Sequence, residues 1–530
     1  MSREPSDKAV FGKDTDSIIL QDVPPGVVQS DKNKDDDDAI LRANGHTQAM
    51  PRQFSWISAL GLGFSITNSW VGYLSCFGQS LIYGGPRICI FALVIAFVVQ
   101  FTVTLGLSEL ASAFPSSGGQ YHYCYILSPK HTRRYSAYIV GWLSVLAWWI
   151  TTCSGISLAA VVMTGIASFY VPGYTASQWH IYLTYVAVSL VTIIPIFMAS
   201  SKISIITQCT LYLSLAAYLV FFIVSLVMHD KVQPASYILE SSEGASGWNE
   251  GTAWMLAISN SMYAFGGTDG VIHISEELPR PGRRVPQVMI LTMIIGLFTT
   301  LSLFVPFMFF IEDMDAVRRA PLPCLELMYQ ITGSKDVTLG LVVVLWIIYA
   351  SALPSQWVTS GRLAWAFARD NGTPFPSYFS HIDPQFNFPV RTTIAAFIFS
   401  CIYGLLYLAS TTAFNSIITS AVLFLNITYT VPQGILLTTG RSSLPKRYLK
   451  LGWVGYVCNV FSVSWIVVLG VLVCMPPNIL ITLGSMNYVC VILVGVFVVI
   501  NVLWFAVGRR SFEGPRVDWG ILQGERSCHL

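Results

Sequence analysis

Long apolar runs separated by short polar segments make up most of this chain of 530 residues. A helix needs roughly 20 mainly apolar residues to cross a bilayer, and twelve runs after residue 50 reach that length. The pattern therefore predicts an all-α integral membrane protein with twelve transmembrane helices, at about residues 54–82, 88–113, 135–168, 180–199, 204–228, 252–273, 286–311, 337–361, 392–410, 413–438, 452–474 and 483–507.

Two of these runs, the first and the sixth, are interrupted by glycine and polar residues. The first contains GLGFSITNSW at 61–70, and the sixth contains FGGTDG at 265–270. Glycine costs a helix about 1 kcal/mol relative to alanine, and a carboxylate at bilayer depth costs about 2.5 kcal/mol or more. Non-helical backbone is tolerated there when it lines a cavity, so the interruptions predict a binding site. The alternative is that the small residues serve close helix packing.

The spacing of the two interruptions predicts an internal repeat. Each interruption opens a block of five predicted helices, and because five is odd, the second block enters the membrane from the opposite side. That arrangement is typical of inverted-repeat transporters. We therefore predict a transport core over residues 53–438, two further helices over 439–507 and a cytosolic tail over 508–530. Residues 1–52, with the run DKNKDDDDAI and few aromatic residues, predict a disordered cytosolic tail.

The basic residues predict the orientation of the chain. If the N-terminus is cytosolic, 18 of the 30 Lys and Arg residues fall in cytosolic segments after the tail, 5 fall in outside loops and 7 lie in the tail. This distribution follows the positive-inside rule and predicts that both termini are cytosolic. We expect the plasma membrane rather than the vacuole. The sequons at Asn371 and Asn426 then fall in a cytosolic loop and a span, where neither is glycosylated.

Composition excludes several classes of protein. The chain is 54% apolar and only 11% charged, with a mean hydropathy of +0.60, whereas soluble domains carry about 25% charged residues. The net charge of +2 gives no reason to expect a nucleic-acid partner. The eleven cysteines include no CxxC pair, so we predict neither a disulfide framework nor a metal site, and no cofactor. No catalytic cluster stands out, so we do not predict an enzyme.

Two acidic residues within the predicted spans are candidates for function, since an ionisable group in a membrane is a functional candidate. Asp269 adjoins the second interruption, where it could bind a substrate ammonium, carry a coupling proton or cap the following half-helix. Glu109, in LSELASAFPSSGGQY, is a second coupling candidate, although a structural role in bonding loop amides is favoured. His122 and His273 are predicted near the inner face. Phe265, directly on the interruption, is the candidate aromatic gate, whereas packing is favoured for Trp148 and Trp149.

Several segments closely resemble the fungal amino acid/choline transporter family of the amino acid–polyamine–organocation superfamily. The similarity runs from about residue 50 to 507 and is carried by LGLGFSITNSWVGYL, SELASAFPSSGGQYHY, FGGTDGVIHISEE, GRLAWAFARDNGTPFP and LLYLASTTAFNSIITS. It implies a LeuT-like five-plus-five inverted-repeat core with broken helices 1 and 6, twelve spans and uptake driven by a proton gradient. Some superfamily relatives carry a mid-membrane lysine in helix 5, and this chain has none there after Lys202.

The resemblance also implies the substrate site and the substrate class. By position, the residues that match the two unwound segments are Ser65, Ile66, Thr67, Asn68, Phe265, Gly266, Gly267, Thr268 and Asp269. The family takes choline, 4-aminobutyrate, other amino acids and polyamines, so we expect a permease for a small amine or amino-acid-like solute. A transporter-like nutrient sensor and a carrier of a specialised nitrogenous metabolite, in either direction, are the alternatives.

Overall fold

Every regular element of the described chain is helical. The computed structural model describes residues 37–39, 41–46, 48–240, 243–409, 411–479 and 486–519, and no strand occurs among them. Fourteen α-helices of eight or more residues occur in these ranges, numbered here in chain order: α1 Trp56–Thr67, α2 Ser69–Ala113, α3 Gln120–Leu127, α4 Arg133–Tyr170, α5 Gln178–Met198, α6 Ile203–Met228, α7 Glu250–Ser261, α8 Pro281–Phe309, α9 Pro323–Thr332, α10 Lys335–Arg369, α11 Val390–Gly404, α12 Thr411–Thr439, α13 Trp453–Cys474 and α14 Val489–Leu503.

The helices have the length and composition of membrane spans. Within the described ranges, ten helical runs are long and apolar enough to cross a bilayer, and the first of them extends from Trp56 to Ala113 over 58 residues. Large apolar side chains such as Val467 on α13 and Val220 on α6 are exposed on the outside of the bundle, as expected where helices face lipid. The predicted all-helical membrane class is therefore confirmed, while the number of twelve crossings stays a prediction.

The chain is interrupted at the first predicted stretch. Helix α1 begins with a capping box, in which Ser55 and Ser58 each accept a hydrogen bond from the other's backbone N–H. It ends at Asn68, whose φ of 27° lies outside the helical range. Asparagine tolerates positive φ better than most residues. Helix α2 resumes immediately at Ser69.

The second predicted stretch is interrupted over a longer distance. Helix α7 gives way to a 3₁₀ turn at Met262–Phe265, then to extended Gly266 and left-handed Gly267 with φ of 74°. A second 3₁₀ helix follows, at Thr268–Glu277, and is called the 3₁₀ segment below. Gly267 is required for two reasons, because its φ favours glycine and because a Cβ there would lie 2.9 Å from the Ile66 side chain.

Two predicted boundaries differ from the structure. The loop expected at 83–87 is instead a kink inside α2, where Gly84 and Gly85 leave helical geometry just before Pro86. The eighth span, predicted to end at 361, continues to Arg369 as part of α10. In the first case two helical stretches meet across the kink, whereas in the second the residues after Gly361 are buried and the helix continues through them.

Three glutamates form ion pairs at one end of the bundle, which we call the arginine-rich end. They lie on α2 and at the end of the 3₁₀ segment, and their arginine partners lie on α10 and after α12. The pairs are Glu109 with Arg441 and Arg447, Glu276 with Arg369, and Glu277 with Arg362. All three carboxylates are almost fully buried, so this end of the bundle is closed by charge pairs rather than by apolar contacts alone.

The described N-terminal residues pack against the arginine-rich end. Residues 41–46 and 48–54, called the strap below, include the buried side chains of Leu41 and Met50. Met50 packs against Trp365 and Ala366 at the end of α10. Most of the strap belongs to the tail predicted as disordered over residues 1–52, and its apolar side chains explain why it docks. Residues 1–36 lie outside the described residues.

Candidate functional site

A cavity lies between the two interruptions, near the middle of the bundle. Its volume is about 80 Å³. Six of the nine residues expected at the substrate site line it: Ser65, Ile66, Thr67, Asn68, Gly266 and Gly267. We call this space the central cavity. Because α1 ends and α2 begins at its wall, unpaired carbonyl and N–H groups of two helix ends meet there.

The other three expected residues point away from the central cavity. Phe265 is fully buried against Phe97 of α2, with ring centroids 5.5 Å apart in an edge-to-face arrangement. The Thr268 hydroxyl lies 3.2 Å from the hydroxyl of Thr104 on α2. Asp269 is fully buried behind Gly267. The direction in which Phe265 points does not suit a gate, because its ring fills space between helices.

Polar side chains from distant helices complete the central cavity, and sequence reasoning did not single most of them out. They are Thr151 and Ser154 of α4, Tyr263 at the second interruption, Gln356 of α10, and Asn426 and Tyr429 of α12. Of these side chains, only that of Tyr263 adjoins a predicted interruption, two residues before FGGTDG. Gln356 lies two residues after the intrahelical Pro354, and a proline in an apolar helix does not by itself mark a binding site.

Several polar atoms in the cavity wall lack a protein partner. Thr67 Oγ1, Asn68 Nδ2, Gln356 Oε1 and Asn426 Oδ1 are buried without a hydrogen bond to any described residue. Buried polar groups are nearly always bonded, and leaving one unpaired costs about 1–3 kcal/mol. Their convergence on one space indicates a site that binds a polar solute.

No charged side chain lines the central cavity among the described residues. Any charge on a bound solute would therefore be met by helix ends, hydroxyls, carboxamides and the aromatic rings of Tyr263, Tyr349 and Tyr429. Such groups can bind an ammonium or a carboxylate without a full counter-charge.

A larger cavity of about 590 Å³, called the vestibule, adjoins the central cavity on the side away from the arginine-rich end. Both are lined by Ser154, Leu158, Tyr263 and Val422. The hydroxyls of Ser154 and Tyr263 are 2.8 Å apart and stand between the two spaces. Ser154 and Tyr263 therefore form part of the boundary between the central cavity and the vestibule.

Asp269 is held by side chains from three other helices. Its Oδ2 accepts hydrogen bonds from Gln120 Nε2 at 2.6 Å and Trp148 Nε1 at 3.0 Å, and its Oδ1 accepts one from the Tyr429 hydroxyl at 2.5 Å. His273 Nε2 lies 3.4 Å from Oδ2. Within the described structure, Asp269 makes no capping bond to the 3₁₀ segment. Tyr429 lines the central cavity and so connects Asp269 to it.

Glu109 is held quite differently. Its carboxylate accepts hydrogen bonds from Arg441, from Arg447 Nη2 at 2.6 Å and Nε at 2.9 Å, and from the Leu451 backbone N–H at 3.2 Å. These partners join α2 to the segment between α12 and α13. The bond to a loop amide is the structural role favoured for Glu109 from the sequence.

The tryptophan pair divides between two roles. Trp148 is fully buried and donates to Asp269, whereas Trp149 packs against Phe399 of α11 at 5.2 Å between ring centroids. Packing, the favoured interpretation for both, describes Trp149 well. For Trp148 the packing interpretation is incomplete, because the indole ring provides an apolar surface and its N–H also donates a hydrogen bond.

Among the described residues, no group of three His, Cys, Asp or Glu side chains could hold a metal ion. The ten described cysteines are all free.

The sequence is similar to those of known proteins over most of its length. Residues 54–497 match the family model described as amino acid permease. The chain is 29% identical over 485 residues to the choline transporter of Saccharomyces cerevisiae, covering 90% of this chain and 85% of that one. It is 28% identical over 479 residues to the swainsonine transporter of Arthroderma benhamiae, at 87% and 92% coverage, and 26% identical over 508 residues to the GABA-specific permease of S. cerevisiae, at 91% and 86%.

Proposed function

The chain belongs to the amino acid permease family, and from that premise we propose that it is a secondary active transporter of a small amine or amino-acid-like solute. The observation that carries the proposal is the central cavity, an uncharged space between two interrupted helices with several polar groups in a largely apolar wall. In transporters built from inverted repeats, discontinuous helices form the substrate site near the bilayer midplane. The unpartnered polar atoms of Thr67, Asn68, Gln356 and Asn426 are the groups that we assign to the solute.

We assign the substrate contacts of the two interruptions to Ser65, Ile66, Thr67, Asn68, Gly266 and Gly267. Phe265, Thr268 and Asp269 then act from behind the cavity wall rather than on the solute directly. The exposed ends of α1 and α2 suit a solute with opposite charges or a single ammonium. This division between direct and indirect residues follows from which of them line the central cavity.

Twelve crossings are part of the proposal. The run Trp56–Ala113 would measure about 87 Å at 1.5 Å per residue, far more than a hydrocarbon core of about 30 Å, so we assign it two crossings that meet at Gly84–Gly85. The interrupted chain from Glu250 to Glu277 adds another. With both termini cytosolic, the arginine-rich end faces the cytosol, and the vestibule opens outward at the plasma membrane.

We propose that protons drive the transport and that Asp269 is the proton-linked carboxylate. Its donors are the neutral side chains of Gln120, Trp148 and Tyr429, with His273 nearby. Glu109, by contrast, is bound by two arginines. A carboxylate without a permanent cation partner can change its protonation state more readily than one inside an ion pair.

The identity of the solute is open among four classes named by the relatives: choline, GABA, polyamines and other amino acids. Similarity to the swainsonine transporter favours a second candidate function, the transport of a specialised metabolite. A polyamine carries several positive charges, and the uncharged wall of the central cavity gives it no counter-charge. We therefore rank choline and amino acids with no net charge above polyamines.

Uptake in a transport-deficient yeast tests the proposal. Cells that express the chain would be given labelled choline, 4-aminobutyrate, arginine and spermidine, with and without a protonophore. We expect saturable uptake of at least one solute, abolished by the protonophore. The matched control is Gly267→Val, because any Cβ at this position would meet Ile66 and distort the cavity wall.

The outcomes separate the parts of the proposal. Absence of saturable uptake of every amine and amino acid, from a protein present at the cell surface, would contradict transport and favour a sensor. Uptake that ignores the protonophore would contradict proton coupling alone. Uptake by Gly267→Val equal to that of the native chain would show that the solute does not use the central cavity.

A further inference from the structure

His273 is fixed in one orientation by the backbone of the α2–α3 connection. Its Nδ1 lies 2.9 Å from the carbonyl oxygen of Ser117. A carbonyl oxygen can only accept, so Nδ1 must carry a hydrogen and donate it. The ring is fully buried and stands edge-on to Trp148, with ring centroids 6.0 Å apart. The bond to the Ser117 carbonyl therefore defines the tautomer of the neutral ring, with its hydrogen on Nδ1.

The other ring nitrogen then faces a carboxylate. With Nδ1 protonated, neutral His273 presents a lone pair at Nε2, and this atom lies 3.4 Å from Asp269 Oδ2. Two acceptors facing each other in a buried site repel. The contact becomes favourable only when one extra proton resides on the pair, either on Nε2 or on the carboxyl group.

The remaining contacts indicate where that proton resides. Trp148 donates to Oδ2 through its indole N–H, which can never accept, and the Gln120 amide and the Tyr429 hydroxyl also donate to the carboxylate. Three donors stabilise an ionised Asp269. The proton therefore belongs on His273, as an imidazolium beside a carboxylate.

Among the described residues, no side chain with a permanent charge bonds either member of the pair. The titratable groups facing it are Tyr429 from α12 and Tyr123 of α3, which is within electrostatic range of Asp269. On the 3₁₀ segment itself, Glu276 and Glu277 are each neutralised by an arginine of α10. The Asp269–His273 pair is thus neutral when it holds the proton and carries one negative charge when it does not.

We propose that His273 is the proton partner of Asp269 and that the coupling proton is held jointly by this pair. The inference rests on the proposed proton-coupled transport and adds the residue that receives the proton. Tyr429 connects the pair to the central cavity, because its hydroxyl donates a hydrogen bond to Asp269 and the residue also lines the cavity. Ser117 connects the pair to the arginine-rich end, because its carbonyl accepts from His273 and its N–H donates to Glu276 at 3.3 Å.

The test replaces His273 by asparagine in protein reconstituted into liposomes. In His273→Asn the amide N–H of the new side chain can still donate to the Ser117 carbonyl, but no titratable nitrogen faces Asp269. The assay follows two reactions of the solute that the uptake screen identifies. One is accumulation driven by an imposed pH gradient, and the other is exchange at equal pH on both sides. His122→Asn is the matched control, because it also removes a buried imidazole but one that bonds Ser116 and His46 instead of Asp269.

The inference predicts a split between the two reactions. In His273→Asn, the accumulation ratio should fall at least tenfold and become independent of pH, while exchange stays within about twofold of the native chain. His122→Asn should accumulate like the native chain. Native accumulation and pH dependence in His273→Asn would overturn the inference. So would loss of both reactions at an unchanged melting temperature, because His273 would then serve the solute path itself.

A second variant covers the case in which His273→Asn does not fold. Tyr429→Phe removes only the hydroxyl that connects Asp269 to the cavity. The increase in proton uptake that the solute causes should be at least fivefold smaller in this variant than in the native chain. Proton uptake in Tyr429→Phe that matches the native chain would overturn the inference. If the native chain itself ignores a protonophore, proton coupling fails first, which the uptake screen detects separately.

Discussion

Glu109 and Asp269 are both buried carboxylates inside an apolar bundle, and their partners differ in kind. Glu109 is bound by two arginines and a backbone N–H. Asp269 is bound by an amide, an indole and a phenol, with a single histidine beside it. Arginine cannot lose its proton in a protein, whereas histidine titrates near physiological pH.

The two sets of partners suit different roles, which we call the anchor for Glu109 and the switch for Asp269 with His273. The charge of Glu109 is fixed by partners that never change, so its effect is to tie α2 to the segment before α13. The charge of the Asp269–His273 pair would instead change with the proton that we assign to His273. An acidic residue in a membrane span is therefore not a coupling residue by itself, and the nature of its donors decides the role. Glu109 as a coupling residue stays a prediction that this geometry does not favour.

Asp269→Asn should give the largest effect, because it removes one half of the switch. The asparagine oxygen can still accept from Trp148 in the place of Oδ2, and its amide N–H can donate to the Tyr429 oxygen in the place of Oδ1, so the fold should survive. We expect gradient-driven accumulation to be lost, with the inside-to-outside ratio falling to about one, while exchange continues. The measurement is solute accumulation in liposomes with an imposed pH gradient. Accumulation at the native level would assign Asp269 a purely structural role.

Glu109→Gln should affect stability rather than coupling. Removing one partner of a buried ion pair leaves uncompensated charge and typically costs about 3–5 kcal/mol. We expect a clear fall in melting temperature of the detergent-solubilised protein, measured by intrinsic tryptophan fluorescence. Protein that remains folded should accumulate solute normally. An unchanged melting temperature together with lost accumulation would reverse the roles of the two carboxylates.

The arginine partners provide the control for this second experiment. Arg447→Lys retains a positive charge but loses the paired N–H donors of the guanidinium. It should lower the melting temperature less than Glu109→Gln does. An equal fall would mean that geometry rather than charge dominates the anchor.

The sequence predicted the two interruptions because their causes are local. Glycine, asparagine and aspartate within an apolar run are visible from a few neighbouring residues. The same local information singled out Asp269 and Glu109. It could not give the direction of Phe265, because a 3₁₀ turn followed by left-handed Gly267 rotates the side chain away from where an unbroken helix would point it.

The rest of the site depends on contacts between distant parts of the chain. Gln356 and Asn426 reach the central cavity from α10 and α12, and neither carries a signal that distinguishes it from other polar residues in apolar helices. The partners of Glu109 come from more than 330 residues away. Such pairings are set by tertiary packing, and one sequence alone does not show them.

If neither carboxylate contacts the solute, affinity should depend on neutral side chains. Gln356→Ala removes a carboxamide with an unpartnered oxygen from the cavity wall. A hydrogen bond to a charged group contributes about 1.5–3 kcal/mol, so we expect KM to rise about ten- to hundredfold. The measurement is the concentration dependence of uptake. An Asp269→Asn variant with the same rise in KM would place Asp269 on the solute as well.

The matched control for affinity is Asn260→Ala in the vestibule. Asn260 donates to the Cys76 carbonyl at 2.9 Å and lines the vestibule but not the central cavity. Its KM should therefore rise less than that of Gln356→Ala. A larger rise would move the affinity-determining site outward.

The smallest effect should come from a histidine pair that lacks a carboxylate. His46 of the strap lies 3.3 Å from His122, and both rings are buried. Burial and the nearby Arg369 guanidinium lower the pKa of His122 to about 3 and hold the pKa of His46 well below its usual value of 6.5. His273 faces an acid, whereas these two face each other and a cation. His46 and His122 should therefore stay neutral at a pH at which His273 holds the proton that we propose.

Acid should loosen the strap as a consequence. Docked His46 is neutral, and released His46 titrates near 6.5, so the released strap binds more protons below that pH. Docking is then complete above about pH 6.5 and weakens as the pH falls, by about 1.4 kcal/mol per pH unit. The measurement is thiol labelling of Met50→Cys, a nearly inaccessible position, at about pH 7.5 and about pH 5.5, on either side of the histidine pKa. The reference for the pH dependence of the thiol itself is Lys130→Cys, an exposed position between α3 and α4. We expect labelling about tenfold faster at the lower pH after this correction, and His46→Phe should abolish the difference. A labelling rate that does not depend on pH would mean that protonation of His46 does not weaken the docking of the strap. The proposed proton on His273, beside a carboxylate, would then be the one effect of pH on a buried histidine that these predictions retain.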